Sequence, residues 1–422
     1  MRGKGTALSL TASLHTGASG LASSSIDLSV IGDNIANANT IGFKGSRVAF
    51  EEALAQSIMG GGGRGLGVNI QAIQRMITQG ALIQTGLATD LALQGNGLFM
   101  VKGNHGGRDG TYFTRAGQFT IDADGFLVNL EGMRVQGWSA DALGNVSGAL
   151  GDLALAGASS PPKPTNLVTV KANLKADADI LPPWDPTQPR DTSNFSSSVT
   201  VFDSLGKAHT VEVFYRKTGA GTWEWHALTD GAGLQGGTAG TLTEVASGDL
   251  TFDTDGNLTA SNQTSNFLPM GATSPQALSL DLSGVTQFAN PSAVSFLNQD
   301  GWAAGDLAGV TIDQEGKILG SFTNGKSTVL GQLAIASFSA PDQLERMGGN
   351  LYGNRPGAGE PTVGAASSGG RASIVAGALE QSNVDIATEF IRMIEAQRGF
   401  QANSKTVTTA DSLLSDLIQL KR

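Results

Sequence analysis

The sequence predicts an α+β multidomain fold. A terminal α-helical, coiled-coil-like pair is formed by the two chain ends, and two mainly antiparallel β domains are nested between them. Three observations predict it. At the C-terminal end Ile386, Met393, Phe400, Val407 and Leu414 recur every seven residues, the period of a helical seam. At the N-terminal end Leu14, Leu21, Leu28 and Ile35 keep the same interval. Between them, short runs alternate apolar and polar residues and are punctuated by Asp, Gly and Pro, as in sheets closed by tight turns.

The C-terminal helix is predicted over Ser382 to Leu420. Phe390, Ile394, Ala410 and Leu417 fill the seam at threes and fours, while Glu389, Arg392, Glu395, Arg398, Lys405, Asp411 and Asp416 read as its solvated face. Ser382 or Asn383 is the expected cap, with Asp385 in the first turn, where the helix dipole favours an anion. On the N-terminal helix Ala18, Ser25 and Gly32 form a rail of small residues beside the Leu stripe, suited to close helix approach. Gly17 and Gly20 each weaken an isolated helix by about 1 kcal/mol relative to Ala. One apolar stripe does not offset the entropy of ordering so long a helix. The ends are therefore expected to order when many copies bundle. A plain two-helix hairpin docked on its own globular body is the alternative.

Composition narrows the function. Of 422 residues only 15% are charged, 58 are Gly, and the net charge is −10 with no Lys/Arg cluster. Nucleic acid and anionic membrane are poor partners for such a surface. With no cysteine, disulfides, thiolate metal sites and cysteine catalysis are excluded. Ala7 to Val30 is interrupted by Ser, Thr, His and Gly, so neither a secretory signal nor a membrane span is expected there. A protein of this kind found outside the cell would leave it without a cleaved signal.

The first helix is expected to stop near Asn37 or Asn39, where Asn and Gly are dense. Phe50 to Ile58 suggests a short helix and Gly60 to Gly67 a flexible linker. The glycines at 60, 62 and 65 have dinucleotide-loop spacing but lack the strand and the acidic ribose partner that such a loop needs. Val68 to Ile77 and Leu87 to Val101 read as strands. Phe119 to Val128, Leu250 to Thr259 and Val310 to Leu319 each place Asp-x-Asp/Glu-Gly between two strand-like arms. Asp opens a type I turn and Gly takes the left-handed position that closes the hairpin; the further acidic ligands of a calcium loop are missing.

Pro-rich passages at Ser159 to Pro164 and Leu181 to Pro189 mark expected boundaries, and three antiparallel strands follow, centred on Val199, Val213 and Trp225. Trp223 and Trp225 share one face of one strand. They fit a sheet core better than a glycan platform. Residues 230–300 are expected to finish this domain with weaker strands, and Gly348 to Gly370 to be mostly loop. Catalysis has little footing: His15, His105, His209 and His226 are scattered, with no zinc-binding His pair, nucleophile elbow or P-loop. No cofactor and no metal are expected.

Several long segments, in order, resemble the axial proteins of the bacterial flagellum, the rod and hook subunits. They are IGDNIANANTIGFK (Ile31 to Lys44), ATDLALQGNGLFMV (Ala88 to Val101), YFTRAGQFTIDADGFLVNLEGMRVQGW (Tyr112 to Trp138) and GALEQSNVDIATEFIRMIEAQRGFQANSKTVTTAD (Gly377 to Asp411). VTVFDSLGKAHTVEVFYRKTGAGTWEW (Val199 to Trp225) and Gln299 to Phe338 are similar to the extra domain and return pass of the hook branch, which the shorter distal rod subunits lack. The resemblance implies a layered subunit. Residues 1–40 and 380–422 form the inner tube, 41–85 a connecting segment, 86–170 with 305–379 a first β domain, and 171–304 an outer β domain.

It also implies a homo-polymer of many copies, a flexible hollow coupling that carries motor torque from rod to filament. Rod and hook–filament junction proteins would meet its ends, and the export apparatus and hook cap would handle it during growth. Neither nucleic acid nor membrane insertion belongs to this picture. The expected assembly interface is Leu14, Leu21, Leu28, Ile35, Ile386, Phe390, Met393, Ile394, Phe400, Val407, Leu414 and Leu417. A distal rod-type subunit, a secreted β-rich glycan-binding protein and a glycan-active enzyme stand as alternatives.

Overall fold

A computed structural model describes residues 3–55, 64–141, 144–155 and 157–419. Two long helices frame the chain, α1 (Gly3–Ala36) and α2 (Ile386–Gln419), with strands throughout the intervening sequence. The chain divides into two units, which it enters and leaves more than once. One comprises Met1–Gly157, Val310–Gly320 and Val329–Arg422; the other comprises Ala158–Gly309 and Ser321–Thr328.

In the helix-bearing unit, α1 runs directly into an antiparallel hairpin of β1 (Ser46–Ala55) and β2 (Arg64–Arg75), with Ser46 opposite Arg75. The expected helix from Phe50 is therefore a strand as far as Ala55, and residues 56–58 lie outside the described residues. Ser46–Ala55 pairs along its whole length with Arg64–Arg75, and this cross-strand pairing outweighs the weak helical reading. Likewise 64–67 of the glycine run belongs to β2 rather than to a linker, and 60–63 lies outside the described residues.

Beyond the hairpin the outgoing and returning chain run side by side. Leu82–Gln84 pairs with Ala378–Glu380, and Leu91–Gln94 pairs with Ser373–Ala376, both antiparallel. The core of this unit gathers Leu91, Leu93, Phe99, Val101, Phe119, Leu127, Ile318, Leu333 and Ile335, all buried. Phe99 and Phe119 meet edge to face at 5.1 Å between ring centroids.

The second unit packs a sheet of consecutive antiparallel strands, Phe195–Phe202, Ala208–Gly219, Thr222–Asp230, Leu242–Phe252 and Leu258–Ser261. Its companion sheet is Ser279–Asp281, Leu167–Asn173 and Ala293–Gln299, in which the first two strands are parallel. Trp223 and Trp225 are 1% and 0% exposed in the core between Val213, Tyr215 and Phe267, so neither ring is available to a glycan. The Leu181 to Pro189 passage lies inside this unit rather than at its edge.

The Asp-to-Gly turns form as expected. Gly125, Gly256 and Gly316 adopt φ of 81°, 82° and 79°. In each turn the Asp three positions earlier accepts the backbone N–H of the residue that starts the second arm: Asp122 from Phe126, Asp253 from Asn257 and Asp313 from Lys317. Each carboxylate is thus consumed by its own turn.

Candidate assembly interface

The two helices pack antiparallel. Gly17 meets Val407, Gly20 meets Asn403, Ser24 meets Gly399 and Asn34 meets Glu389, a register that slides by no more than one residue along the pair. A Cβ built on Gly17 would sit 2.7 Å from Val407 Cγ2, and one on Gly20 would sit 2.5 Å from Asn403 Nδ2. The glycines expected to weaken α1 are thus where α2 comes closest. The rail of small residues runs through Gly17, Gly20 and Ser23, all buried, and not through Ala18, Ser25 and Gly32. Ala18 and Ser25 are exposed, and a Cβ on Gly32 would touch nothing within 4 Å. At about 100° per residue the true rail lies on the opposite flank of the Leu stripe.

Leu14, Leu21, Leu28 and Ile35 are accordingly half-buried, flanking the contact. On α2, Val407 packs on Gly17 and is half-buried, as are Met393 and Leu414, whereas Ile386, Phe390, Ile394 and Phe400 are 43%, 49%, 50% and 38% exposed. The Leu417 side chain, like Leu420, lies outside what is described. The β1–β2 hairpin covers a different side of α1, where Ser19 Oγ accepts the Val68 N–H at 3.3 Å. With ideal helical spacing, the α1 Leu stripe and the exposed α2 residues both fall on the side of the pair away from that hairpin.

The cap of α2 is Asp385, whose Oδ1 accepts the Thr388 N–H at 2.7 Å. That bond holds its carboxyl below the usual range. Neither Ser382 nor Asn383 caps, because both precede the turn. Asn383 is used elsewhere: its Oδ1 accepts the Gly45 N–H at 2.8 Å and its amide donates to the Met76 carbonyl at 2.7 Å.

Glu389, expected on the solvated face, is 3% exposed. Arg392 donates to it at 3.0 Å and the Asn34 amide at 3.3 Å. Asn34 also pairs with Ser46 in both directions, donating at 2.8 Å and accepting at 2.9 Å. Burial pushes the neighbouring Asp27 carboxyl upward and Glu389 adds to this, while Arg392 opposes it.

A second buried knot fastens the helix pair to its β strands. Glu380, wholly buried, receives Lys44 Nζ at 2.6 Å on Oε1 and Arg115 Nη1 at 3.0 Å on Oε2. The Gly80 N–H adds 2.9 Å on Oε1, and the Glu380 carbonyl accepts Gly42 N–H at 2.7 Å. Lys44 also donates to the Thr78 carbonyl at 2.8 Å. Burial lowers the pKa of Lys44 and of Arg115, and Glu380 opposes both shifts. The segment leaving α1 and the segment entering α2 are therefore clamped through one carboxylate.

The sequence matches four flagellar families in chain order. They are described as Flagella basal body rod protein (14–44), Flagellar hook protein FlgE/F/G D1 domain (92–176), Flagellar basal body protein FlaE D2 domain (171–302) and Flagellar basal body rod FlgEFG protein C-terminal (375–420). The Flagellar hook protein FlgE of Treponema pallidum is 34% identical, over 97% of this chain and 99% of its own. That of Borreliella burgdorferi is 35% identical over the same shares, and that of Escherichia coli is 31% identical over 96% and 98%. The chain belongs to the flagellar hook protein family. It is a structural subunit, and the family places it in the flagellar hook. The crystal structure of Helicobacter pylori flagellar hook protein FlgE2 aligns with 69% of this chain and 98% of its own at 15% identity and a TM-score of 0.46, a distant likeness that adds nothing to this placement.

Sequence reasoning found the terminal stripes of this hook-family chain but missed Asn34, Lys44, Arg115, Glu380 and Glu389. The available signal was their place, as charged or amide residues, inside three of the motifs quoted above: Ile31 to Lys44, Tyr112 to Trp138 and Gly377 to Asp411. Such residues read as solvated unless their partners, up to 355 positions away, are known.

Proposed function

We propose that the chain polymerises through its paired terminal helices into a flexible hollow tube that transmits torque from rod to filament. The observation that carries this reading is the apolar surface left on α2. Ile386, Phe390, Ile391 and Ile394 are 43–60% exposed on a helix whose other face is already packed. Removing such side chains from water is favourable only against another molecule. In this reading 1–40 and 380–422 line the tube, 41–85 connects, 86–170 with 305–379 surrounds it, and 171–304 lies outermost. The subunit meets rod and junction proteins at the polymer ends, passes through the export apparatus, and is placed beneath a cap.

The role is read as mechanical, not catalytic. Three of the four histidines are held by carboxylates at separate places: His105 by Glu131, His209 by Asp203 and His226 by Glu244. A rod-type or glycan-binding role has no feature of its own in its favour. The test is Ile394→Asp and Phe390→Asp in the full chain, read by electron microscopy under polymerising conditions. The expected result is a folded monomer that forms no tubes; normal tubes from both variants would overturn the proposal. Met393→Asp and Phe400→Asp are expected to stop assembly as well.

A further inference from the structure

The clamp around Glu380 does not balance its charge. Lys44 and Arg115 are 1% and 2% exposed and share one carboxylate. Both also line a cavity of about 260 Å³ that Arg75 enters from β2. Arg75 adds a third cation. Both of its terminal nitrogens donate to the Leu344 carbonyl at 3.2 Å, and its guanidinium lies 4.6 Å from the Tyr352 ring centroid. Among the described residues it makes no ion pair within 4 Å; the Asp342 carboxylate acts on it from farther away, offset by the Arg346 cation. The Nε atoms of Arg75 and Arg115 are buried and have no hydrogen-bond partner. The other walls are apolar: Ile77, Leu98, Phe338 and Leu344.

Buried cations in excess of carboxylates are costly unless an anion meets them, and the Arg75 Nη atoms and Arg115 Nη2 each make one bond and keep a second N–H as a directed donor to an oxygen. Burial already pushes both guanidinium groups below their ordinary range. We propose that this cavity binds one carboxylate carried on a short apolar stem, with Arg75 and Arg115 holding the oxygens and the aliphatic and aromatic walls holding the stem. A free small aliphatic acid has this chemistry, and so does an acidic side chain presented by a second copy. The proposal does not depend on the tube reading, because the monomer alone decides it.

The probe is 4-methylpentanoate, titrated into the full-length monomer at fixed ionic strength and followed by melting temperature and ligand-observed NMR. Saturable binding is expected, absent with 4-methylpentanamide and at least tenfold weaker with inorganic phosphate. Arg75→Met, which removes a cation that makes no direct ion pair among the described residues, is expected to stay folded and to bind at least tenfold more weakly; Arg75→Lys should fall between. Binding by the monomer that disappears in the polymer assigns the native occupant to a neighbouring subunit, and binding by both assigns it to a free acid. No saturable binding by the monomer, equal binding by Arg75→Met, or equal binding of the amide overturns the proposal.

Discussion

Gly17 and Val407 touch so closely that no side chain fits between them: a Cβ on Gly17 would lie 2.7 Å from the Val407 Cγ2 methyl. Val is stiff at χ1, so the methyl has little room to turn away. Gly17→Ala gains about 1 kcal/mol of helix propensity but overpacks the contact at a cost of about 1–3 kcal/mol. The expected net effect is a modest loss. Adding Val407→Ala removes the obstacle, and the propensity gain should then appear. A double-mutant cycle on the thermal disassembly of the polymer is expected to show coupling of roughly 1–2 kcal/mol. Additive single effects would mean that these helices are not paired in this register in the assembled state.

Glu380, itself wholly buried, is the one carboxylate that bonds both Lys44 and Arg115. Glu380→Gln keeps the shape and one acceptor while leaving both cations unpaired. Breaking a buried ion pair in this way costs about 3–5 kcal/mol. Denaturant unfolding of the full chain should show the loss, and hydrogen exchange at the Gly42 amide, which bonds to the Glu380 carbonyl, should quicken. A loss below about 1 kcal/mol, the worth of an exposed pair, would show that the knot is hydrated.

Gly42 turns the chain between α1 and the strands with φ of 70°, and a Cβ there would lie 2.6 Å from the Ala116 backbone nitrogen. Gly86 has a similar φ of 76° with nothing within 4 Å of its Cβ position. Gly86→Ala therefore reports the cost of the left-handed backbone alone, about 1–2 kcal/mol. Gly42→Ala adds a collision with backbone that no rotamer change relieves. Its melting temperature should fall clearly further than that of Gly86→Ala. Equal shifts would remove the close approach of residue 42 to the Arg115–Ala116 segment.

What the sequence disclosed follows from range. The heptads, the Asp-to-Gly hairpins and the Trp223/Trp225 strand are written within a few residues of one another, so periodicity and turn chemistry reveal them. The direction of each helix face is a different matter. Leu14 and Leu21 look like the seam because they are large, yet Gly17 and Gly20 face α2, because the closest approach goes to the residues with least bulk. Phe50 carried a helical reading because its partner Ile70 stands across a segment too glycine-rich to read as a hairpin. Glu389 looked solvated, and Glu380 drew no reading at all, because nothing local distinguishes a paired buried carboxylate from an exposed one.

Acid should loosen the second unit. Asp185, Asp203, Asp230, Asp253, Asp281 and Asp300 all sit below the ordinary carboxyl value. For Asp203 burial acts upward, but the His209 ring nitrogen Nε2 at 3.1 Å and the N–H groups of Lys207 and Leu205 outweigh it. A carboxyl with a depressed folded pKa binds fewer protons in the folded than in the unfolded state near that pH. Its contribution is complete above the unfolded value of about 3.9 and is lost as pH falls through the folded value. Urea unfolding followed by the fluorescence of Trp223 and Trp225 should therefore show stability falling from about pH 5 downward. Asp203→Asn should be weaker by about 1–3 kcal/mol at pH 7, with a shallower acid slope. Its curve should meet that of the unmodified chain once Asp203 is protonated. A gap that stays constant to pH 2 would show that the charge of Asp203, as opposed to its shape, contributes nothing to this turn.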